Sequence, residues 1–184
     1  SSFLTRGHRR CYPLGCRAGL CDDGNVSTDR GRVPFDVDSY GELVQSRSCF
    51  ICRIVSDPAG EEIVSRDEHH IAFLPRLHVQ LGYVLVAPVA HREGVVHDFE
   101  LDEYLGLQRL VHRIGRAVSS AVATERVYVA SLGSQQANAH VHWHVVALPP
   151  GVPLDQQQFR AMMPEANGVR DLDRRERAEF AERV

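Results

Sequence analysis

Histidines and apolar residues alternate strictly over the segment 140–146. Its seven residues read His-Val-His-Trp-His-Val-Val, so three histidines are separated by single apolar residues. Successive side chains of a β-strand point to opposite faces of the sheet, and alternate residues therefore share one face. We predict a strand over 140–147 that places His140, His142 and His144 on one surface and the intervening apolar side chains in a core.

The remaining pattern predicts four more strands and a short helix. Runs rich in β-branched and aromatic residues, bounded by turn-forming residues, favour strands. Such runs cover residues 62–65, 70–73, 81–87 and 127–132, and Pro88 ends the third of them. A short helix over 49–55 is expected to open the folded domain.

One long helix is predicted over 101–122, because apolar residues recur there at spacings of three and four. Asp98 is the expected N-cap. Apolar residues also occur on a second side of this helix, among them Leu107 and Leu110. We therefore expect one face to cover the sheet and the other to meet a two-fold partner in a homodimer, with a buried area of at least about 1,000 Å².

The two flanks carry weaker patterns. Residues 1–45 are rich in Gly, Arg and Asp and lack periodicity, so we predict an irregular N-terminal extension. The folded domain is expected over 46–150. The tail, 151–184, is predicted to hold two short helices, with Met162 and Met163 in the first and Phe180 in the second.

Composition and charge exclude several classes of function. The chain has 184 residues and a formal net charge of −3, so it lacks the positive charge typical of nucleic-acid-binding proteins. No apolar run is long enough to span a membrane, and residues 1–40 hold no continuous apolar stretch of the secretory kind. We expect a cytoplasmic protein without nucleic acid or membrane as partners. The chain contains no lysine, which excludes Schiff-base or phosphate-binding lysine chemistry.

The cysteines form two groups. Cys49 and Cys52 make a C-x-x-C pair, which indicates half a zinc site or a redox pair. A redox pair of the thioredoxin kind should follow a strand in a βαβ pattern, which is not seen here, and packing cysteines are the remaining alternative. Cys11, Cys16 and Cys21 lie in the N-terminal extension as a second metal site or as free thiols. The odd total argues against a disulfide framework.

Packing alone does not explain three imidazoles in a row. An exposed strand would ordinarily carry residues such as Thr or Arg at these positions, and a buried strand would carry Val. Imidazole titrates near neutral pH, binds metals and can attack phosphorus. A half-exposed polar strand face is the alternative without a function. A catalytic zinc held by His140, His142 and His144 is another alternative, but it leaves the cysteine pair unexplained.

Residues 49–150 resemble the histidine triad, or HIT, superfamily of nucleotide hydrolases and transferases. The His-apolar-His-apolar-His-apolar-apolar motif is the signature of that family. Further similar motifs follow in the family's order: the C-x-x-C pair, the strand 70–74, the segment 85–91 that ends in Pro, two residues and His, the helix start at 100–103, and Gln136 four residues before His140. The resemblance implies an α+β fold, in which one long helix packs on a five-stranded antiparallel sheet, and the five strands predicted above agree with it.

The resemblance also implies roles for individual residues. In zinc-bearing family members the two cysteines, the histidine after the Pro strand and the first triad histidine bind a structural zinc. The corresponding ligands here are Cys49, Cys52, His91 and His140, a set that closes a tetrahedron. His142 and His144 would then be the catalytic residues, with His142 as the nucleophile that attacks the α-phosphorus and forms a nucleotidyl-histidine. Three residues would contact phosphate oxygens: His144, Gln136 and Ser134.

The chain departs from the family where a nucleotide would be recognised. The family's ribose-binding Asp is replaced by Pro75, which cannot accept the ribose hydrogen bonds. Arg76 follows, either as a substitute that contacts phosphate or as an exposed loop residue. Tyr83 replaces a family histidine, and Ala137 replaces a Ser or Thr. These departures leave the chemistry intact and the substrate open.

Three functions remain open at this point. The first is hydrolysis of a nucleoside phosphoramidate or a dinucleoside polyphosphate through nucleotidyl-His142. The second is a phosphorylase of the same branch, in which phosphate replaces water. The third is a zinc-stabilised nucleotide-binding or scaffold protein whose catalysis is weak or vestigial.

Overall fold

Five antiparallel strands form the central sheet of the computed structural model, which describes residues 32–45, 48–133 and 138–184. The strands are β2 (Ile63–Arg66), β3 (His70–Phe73), β4 (Tyr83–Pro88), β5 (Arg126–Ala130) and β6 (Trp143–Leu148), and they lie in the order β2-β3-β4-β6-β5. The long helix α3 (Leu101–Ala121) connects β4 to β5 and packs on β4 and β6. The predicted α+β class, with a five-stranded antiparallel sheet and one long helix, is confirmed.

Shorter elements precede and follow this sheet. The described chain begins with β1 (Arg32–Val33) and α1 (Val37–Gln45), and α2 (Phe50–Ser56) comes before the sheet. After β6 come α4 (Phe159–Met162), α5 (Pro164–Asn167), β7 (Val169–Arg170) and α6 (Arg174–Arg183). β1 pairs with β7 in a separate two-stranded sheet.

Each face of the central sheet has its own apolar core. On one face, Val141, Trp143 and Val145 pack with the buried side of α3. On the other face, residues of β3, β4 and β6 pack with Ile51 and Ile54 of α2. Burial of side chains on both faces is the main source of stability for such a layered fold.

Leu107 and Leu110 lie inside the core of the protomer, with exposed fractions of 0% and 3%. The interpretation of these two residues as a second, partner-facing side of α3 is therefore wrong. The outer side of the helix carries mainly polar residues, including Arg109, His112 and Arg113. The homodimer stays a prediction that a light-scattering mass can check.

The structure corrects the start of the last strand and the cap of the long helix. The strand begins at Trp143 and not at His140. The N-cap of α3 is Glu100, whose backbone N–H donates to the Glu103 carboxylate at 3.0 Å. Asp98 instead accepts the backbone N–H groups of Glu93 and Gly94, at 2.9 and 2.8 Å.

Residues 37–45 and the tail contain more regular structure than the sequence pattern predicts. Residues 37–45 form α1, so an irregular extension as far as residue 45 is wrong for this segment. In the tail, Phe180 is fully buried against the core as part of α6. Met162 ends α4, whereas Met163 lies just beyond it as the C-cap. The division into 1–45, 46–150 and 151–184 stays a prediction.

None of the helices in the described part of the chain is long and apolar enough to cross a membrane. The cytoplasmic location stays a prediction.

His78 is a buried histidine in the contact between the sheet and the tail. Its exposed fraction is 1%, and neither ring nitrogen has a hydrogen-bond partner among the described residues. Burial, with a smaller contribution from the charge of Arg177, lowers the pKa of His78 to about 4. Between pH 6.5 and pH 4 the His78 ring therefore binds a proton in the unfolded chain but stays neutral in the folded chain.

This pKa difference predicts acid sensitivity. At pH 5, protonation of the unfolded chain at His78 should cost about 2 kcal/mol relative to pH 8. In His78→Leu that part of the loss should disappear, and stability at pH 8 should stay equal or rise because a buried unpaired polar group is removed. Urea unfolding at both pH values, with the exposed His97→Leu as control, measures the effect. An equal pH dependence in wild type and His78→Leu would contradict the prediction.

Candidate functional site

Four metal-binding side chains from separate parts of the chain meet in one place. They are Cys49, Cys52, His91 and His140, and one ligand atom from each lies within 4.8 Å of the others. Cys49 is the N-cap of α2, and its sulfur accepts the backbone N–H of Cys52 at 3.4 Å. The first turn of α2 thus directs both sulfurs to the same side.

The distances fit a small tetrahedral ion. Nδ1 of His140 lies 3.4 Å from Sγ of Cys49 and 3.5 Å from Sγ of Cys52. Nδ1 of His91 lies 3.2 Å from Sγ of Cys52. Tetrahedral zinc with ordinary Zn–S and Zn–N bonds separates sulfur and nitrogen ligands by about 3.5 Å.

The far nitrogen of each histidine is held by an oxygen atom. Nε2 of His140 lies 3.0 Å from the carbonyl oxygen of Pro88, and Nε2 of His91 lies 3.1 Å from a carboxylate oxygen of Glu93. Such partners fix the tautomer in which Nε2 carries the proton and Nδ1 presents its lone pair to a metal. Both rings are therefore oriented as metal ligands.

The chemistry of the four donors also favours zinc. Burial, together with the adjacent Cys49, raises the pKa of the Cys52 thiol to about 11. A cation at the cluster would offset this cost, because a metal-bound thiol is deprotonated. Two sulfurs and two imidazole nitrogens form the closed donor set of a structural zinc site.

His142 lies next to this cluster in a different hydrogen-bonding state. Its Nδ1 is 2.7 Å from the carbonyl oxygen of His140, and 4% of the residue is exposed. Nδ1 therefore carries the proton and Nε2 keeps a free lone pair. Burial lowers the pKa of His142, so the ring is neutral near pH 7.

His144 stands beside His142, with the two ring centres 4.8 Å apart. Its Nδ1 forms a short hydrogen bond with the hydroxyl of Tyr83, and its buried Nε2 has no partner among the described residues. Burial, followed by the neighbouring His142, lowers the pKa of His144 to about 3. Burial raises the pKa of Tyr83, and Tyr40 adds to that effect.

The cluster of potential metal ligands contains His140 but neither His142 nor His144. Nδ1 of His140 faces the two sulfurs, whereas Nδ1 of His142 faces a carbonyl oxygen. This arrangement favours a structural metal beside two free histidines over one metal held by all three.

Other side chains surround the triad. The ring of Phe50 meets that of His142 edge-on, with 6.0 Å between the ring centres. A Cβ on Gly133 would lie 2.8 Å from the carbonyl oxygen of Asn138 and 3.8 Å from Cε1 of His142. Only glycine allows the backbone this approach. Asn138 has a positive φ of 55°, a conformation that Asn tolerates better than most residues.

Several of the predicted site residues lie outside the described residues, and another, Arg76, has a different partner from the one predicted. Ser134, Gln136 and Ala137 lie outside the described residues, as do Cys11, Cys16 and Cys21. Arg76 forms an ion pair with Glu61, with Nε 3.1 Å from the carboxylate oxygen. That pairing favours a structural role for Arg76 over a phosphate contact.

Sequence reasoning missed Tyr40 and Asn138. Nδ2 of Asn138 donates to the hydroxyl of Tyr40 at 3.3 Å. The two residues are 98 positions apart, and no periodicity or motif connects them. The Asn directly before Ala139-His140 is the only sequence signal that could have drawn attention to this segment.

Comparisons with known proteins agree with the fold and the motif. No family model matches the chain. It is 28% identical over 107 residues to the protein Hit of Bacillus subtilis, in an alignment that spans 56% of this chain and 72% of the relative.

Two solved structures are similar over 73% of this chain and 88% of their own. One is a Zn-bound histidine triad family protein from Mycobacterium smegmatis, with 26% identity and a TM-score of 0.57. The other is a hypothetical histidine triad nucleotide-binding protein from Sulfolobus tokodaii, with 20% identity and a TM-score of 0.59. Together with the five-stranded sheet and the long helix packed on it, these likenesses show that the chain has the fold of histidine triad proteins, and its His-x-His-x-His motif resembles theirs.

Proposed function

We propose that this protein hydrolyses a nucleoside phosphoramidate or a dinucleoside polyphosphate through a covalent nucleotidyl-His142 intermediate. The observation that carries the proposal is the 2.7 Å contact between Nδ1 of His142 and the carbonyl oxygen of His140. This contact favours the ring tautomer with the proton on Nδ1, which supports the proposal of Nε2 as the nucleophilic atom.

The reaction proceeds in two steps. Nε2 of His142 attacks the α-phosphorus and forms a P–N bond while the bond from phosphorus to the leaving group breaks. The leaving group takes one proton from solvent water. In the second step water attacks the same phosphorus and gives up one proton to solvent, the P–N bond to His142 breaks with its electron pair returning to Nε2, and a nucleoside monophosphate is released.

His144 is suited to the phosphate oxygens. Burial keeps Tyr83 protonated, so its hydroxyl can donate to Nδ1 of His144. Nε2 of His144 then carries the ring proton and can donate it in a hydrogen bond to a phosphate oxygen. A buried donor that finds no partner among the described residues is suited to a ligand that brings an acceptor.

The proposed metal site would contribute to this reaction indirectly, by stabilising the fold and orienting His142. Cys49, Cys52, His91 and His140 would hold a structural zinc ion, which supplies folding free energy rather than a reactive group. The carbonyl of His140 belongs to one of the proposed ligands and orients His142. The ligands therefore position the nucleophile.

One observation favours a second candidate function, nucleotide binding with weak or vestigial catalysis. The position of the family's ribose-binding Asp is held by Pro75, which is buried and offers no side-chain acceptor. A protein of this kind would bind a nucleotide without turnover.

A substrate panel tests the proposal. Purified zinc-loaded protein is incubated with adenosine and guanosine phosphoramidates and with dinucleoside tri- and tetraphosphates, with and without inorganic phosphate. We expect a nucleoside monophosphate as product, and a nucleotidyl adduct on His142 in quenched samples analysed by mass spectrometry. Turnover that requires phosphate and gives a nucleoside diphosphate identifies a phosphorylase. Binding without turnover on every substrate contradicts the proposed hydrolase.

A further inference from the structure

Helix α1 has no buried residue, yet it approaches the triad through one side chain. The Tyr40 hydroxyl accepts a hydrogen bond of 3.3 Å from Nδ2 of Asn138. The ring of Tyr40 also packs against Phe35, with 5.2 Å between the ring centres. Core packing therefore does not explain why α1 lies where it does.

The segment that carries Tyr40 is held on its N-terminal side by strand pairing and hydrogen bonds. Arg32 and Val33 pair with the tail strand β7, and the guanidinium of Arg32 donates to the carbonyl oxygens of Val79 and Asn167 at 3.0 Å. Three residues separate β1 from α1. The position of Tyr40 is thus set by contacts outside the triad.

Asn138, the partner of Tyr40, lies just before the first triad histidine in the sequence. Asn138 precedes His140 by two residues and has the positive φ described above. Its carbonyl oxygen is the atom that the backbone of Gly133 approaches, and Gly133 in turn borders the ring of His142. A shift of Asn138 would therefore change both the backbone leading into His140 and the residue that borders His142.

We propose that Tyr40 is a positioning residue of the triad site, which acts by holding Asn138 through its phenolic hydroxyl. This inference rests on the proposed function, because the effect on turnover presupposes that His142 is the nucleophile. The strained backbone at Asn138 is stabilised by a contact that comes from outside the family-like domain, residues 46–150. Tyr40 itself touches neither zinc ligand nor nucleophile in this role.

Removal of the hydroxyl alone isolates the contact. In Tyr40→Phe the ring and its packing on Phe35 are retained, and the hydroxyl that accepts from Asn138 is lost. We expect kcat to fall about 3- to 10-fold, the range for loss of one neutral hydrogen bond, with KM changed less than twofold. Tyr104→Phe, on the opposite face of the sheet, is the matched control and should leave both constants unchanged.

A double-mutant cycle tests whether the effect passes through Asn138. Asn138→Gly removes the donor and tolerates the positive φ. If Tyr40 acts by holding Asn138, adding Tyr40→Phe to Asn138→Gly should cause no further loss of kcat. Independent, multiplying effects would overturn the inference.

A spectroscopic measurement separates this inference from the proposed function. Histidine ring resonances of the zinc-loaded protein can be recorded by ¹⁵N NMR without any substrate. Tyr40→Phe should shift the ring signals of His142, and Tyr104→Phe should not. If wild type shows no turnover, the proposed function fails and the NMR result alone decides on Tyr40. Unchanged His142 signals together with unchanged kcat would overturn the inference.

Discussion

His142→Ala is expected to lower turnover by at least about 10⁴-fold, because it removes the atom that would form the covalent bond to phosphorus. Zinc content should stay at the wild-type value, since His142 is not among the four clustered ligands. The free energy of unfolding should fall by no more than about 2 kcal/mol, the ordinary cost of removing one buried side chain. Turnover, metal analysis and urea unfolding of one preparation measure all three quantities.

The other two triad histidines serve as comparisons for His142. His140→Ala should lose both zinc and stability, because Nδ1 of His140 lies beside both sulfurs. His144→Ala should lower the rate to a smaller extent and keep the metal. If all three variants released the metal, a catalytic zinc held by the three histidines would replace the covalent mechanism. Full activity in His142→Ala would end the assignment of the nucleophile.

Cys49→Ser is expected to cost several kcal/mol of stability before any effect on chemistry is considered, because metal binding is coupled to folding. The variant loses one of the two sulfurs that lie beside Nδ1 of His140. A strong chelator should destabilise the wild type to a similar extent and should have little further effect on Cys49→Ser. Thermal unfolding with and without chelator, alongside zinc analysis, measures both effects.

Cys11→Ser is the control for this experiment, since it removes a thiol of the N-terminal extension. It should keep the zinc content and the chelator response of the wild type. A loss of metal in Cys11→Ser would indicate a second site among the extension cysteines. A wild-type protein without bound zinc after purification in zinc-containing buffer would contradict the structural site.

The alternation of histidines predicts a strand from residue 140, but the strand begins at Trp143. Register explains the difference: Trp143 pairs with Val86, so two more residues would bring Val141 opposite Pro88. Proline has no N–H for a strand ladder, and the backbone N–H of Val141 donates instead to the carbonyl oxygen of Arg92 at 2.7 Å. The side chains still alternate between the two faces, although residues 140–142 form no strand.

Other features were beyond the reach of local patterns. Asp98 has the composition of an N-cap, but two backbone N–H groups of the preceding loop compete for its carboxylate. α1 does carry apolar side chains at helical spacing, Val37, Tyr40 and Val44, but this pattern is short and lies in a segment otherwise rich in polar residues. The contact of Tyr40 with Asn138 depends on the tertiary fold alone. The motifs predicted the candidate site residues, whereas the segments that surround them required the structure.

Under the proposed role of Tyr40, the pairing of β1 with β7 connects the C-terminal tail to the triad site. Val169 and Arg170 are the strand partners of Val33 and Arg32, and the same short strand leads into the helix that carries Tyr40. A proteolytic cut after Met163 would remove that strand partner and loosen α1 without altering any residue of the triad. The segments 32–45 and 169–184 are thus joined through one strand pair, and under the proposed role of Tyr40 a loss of β7 should lower kcat.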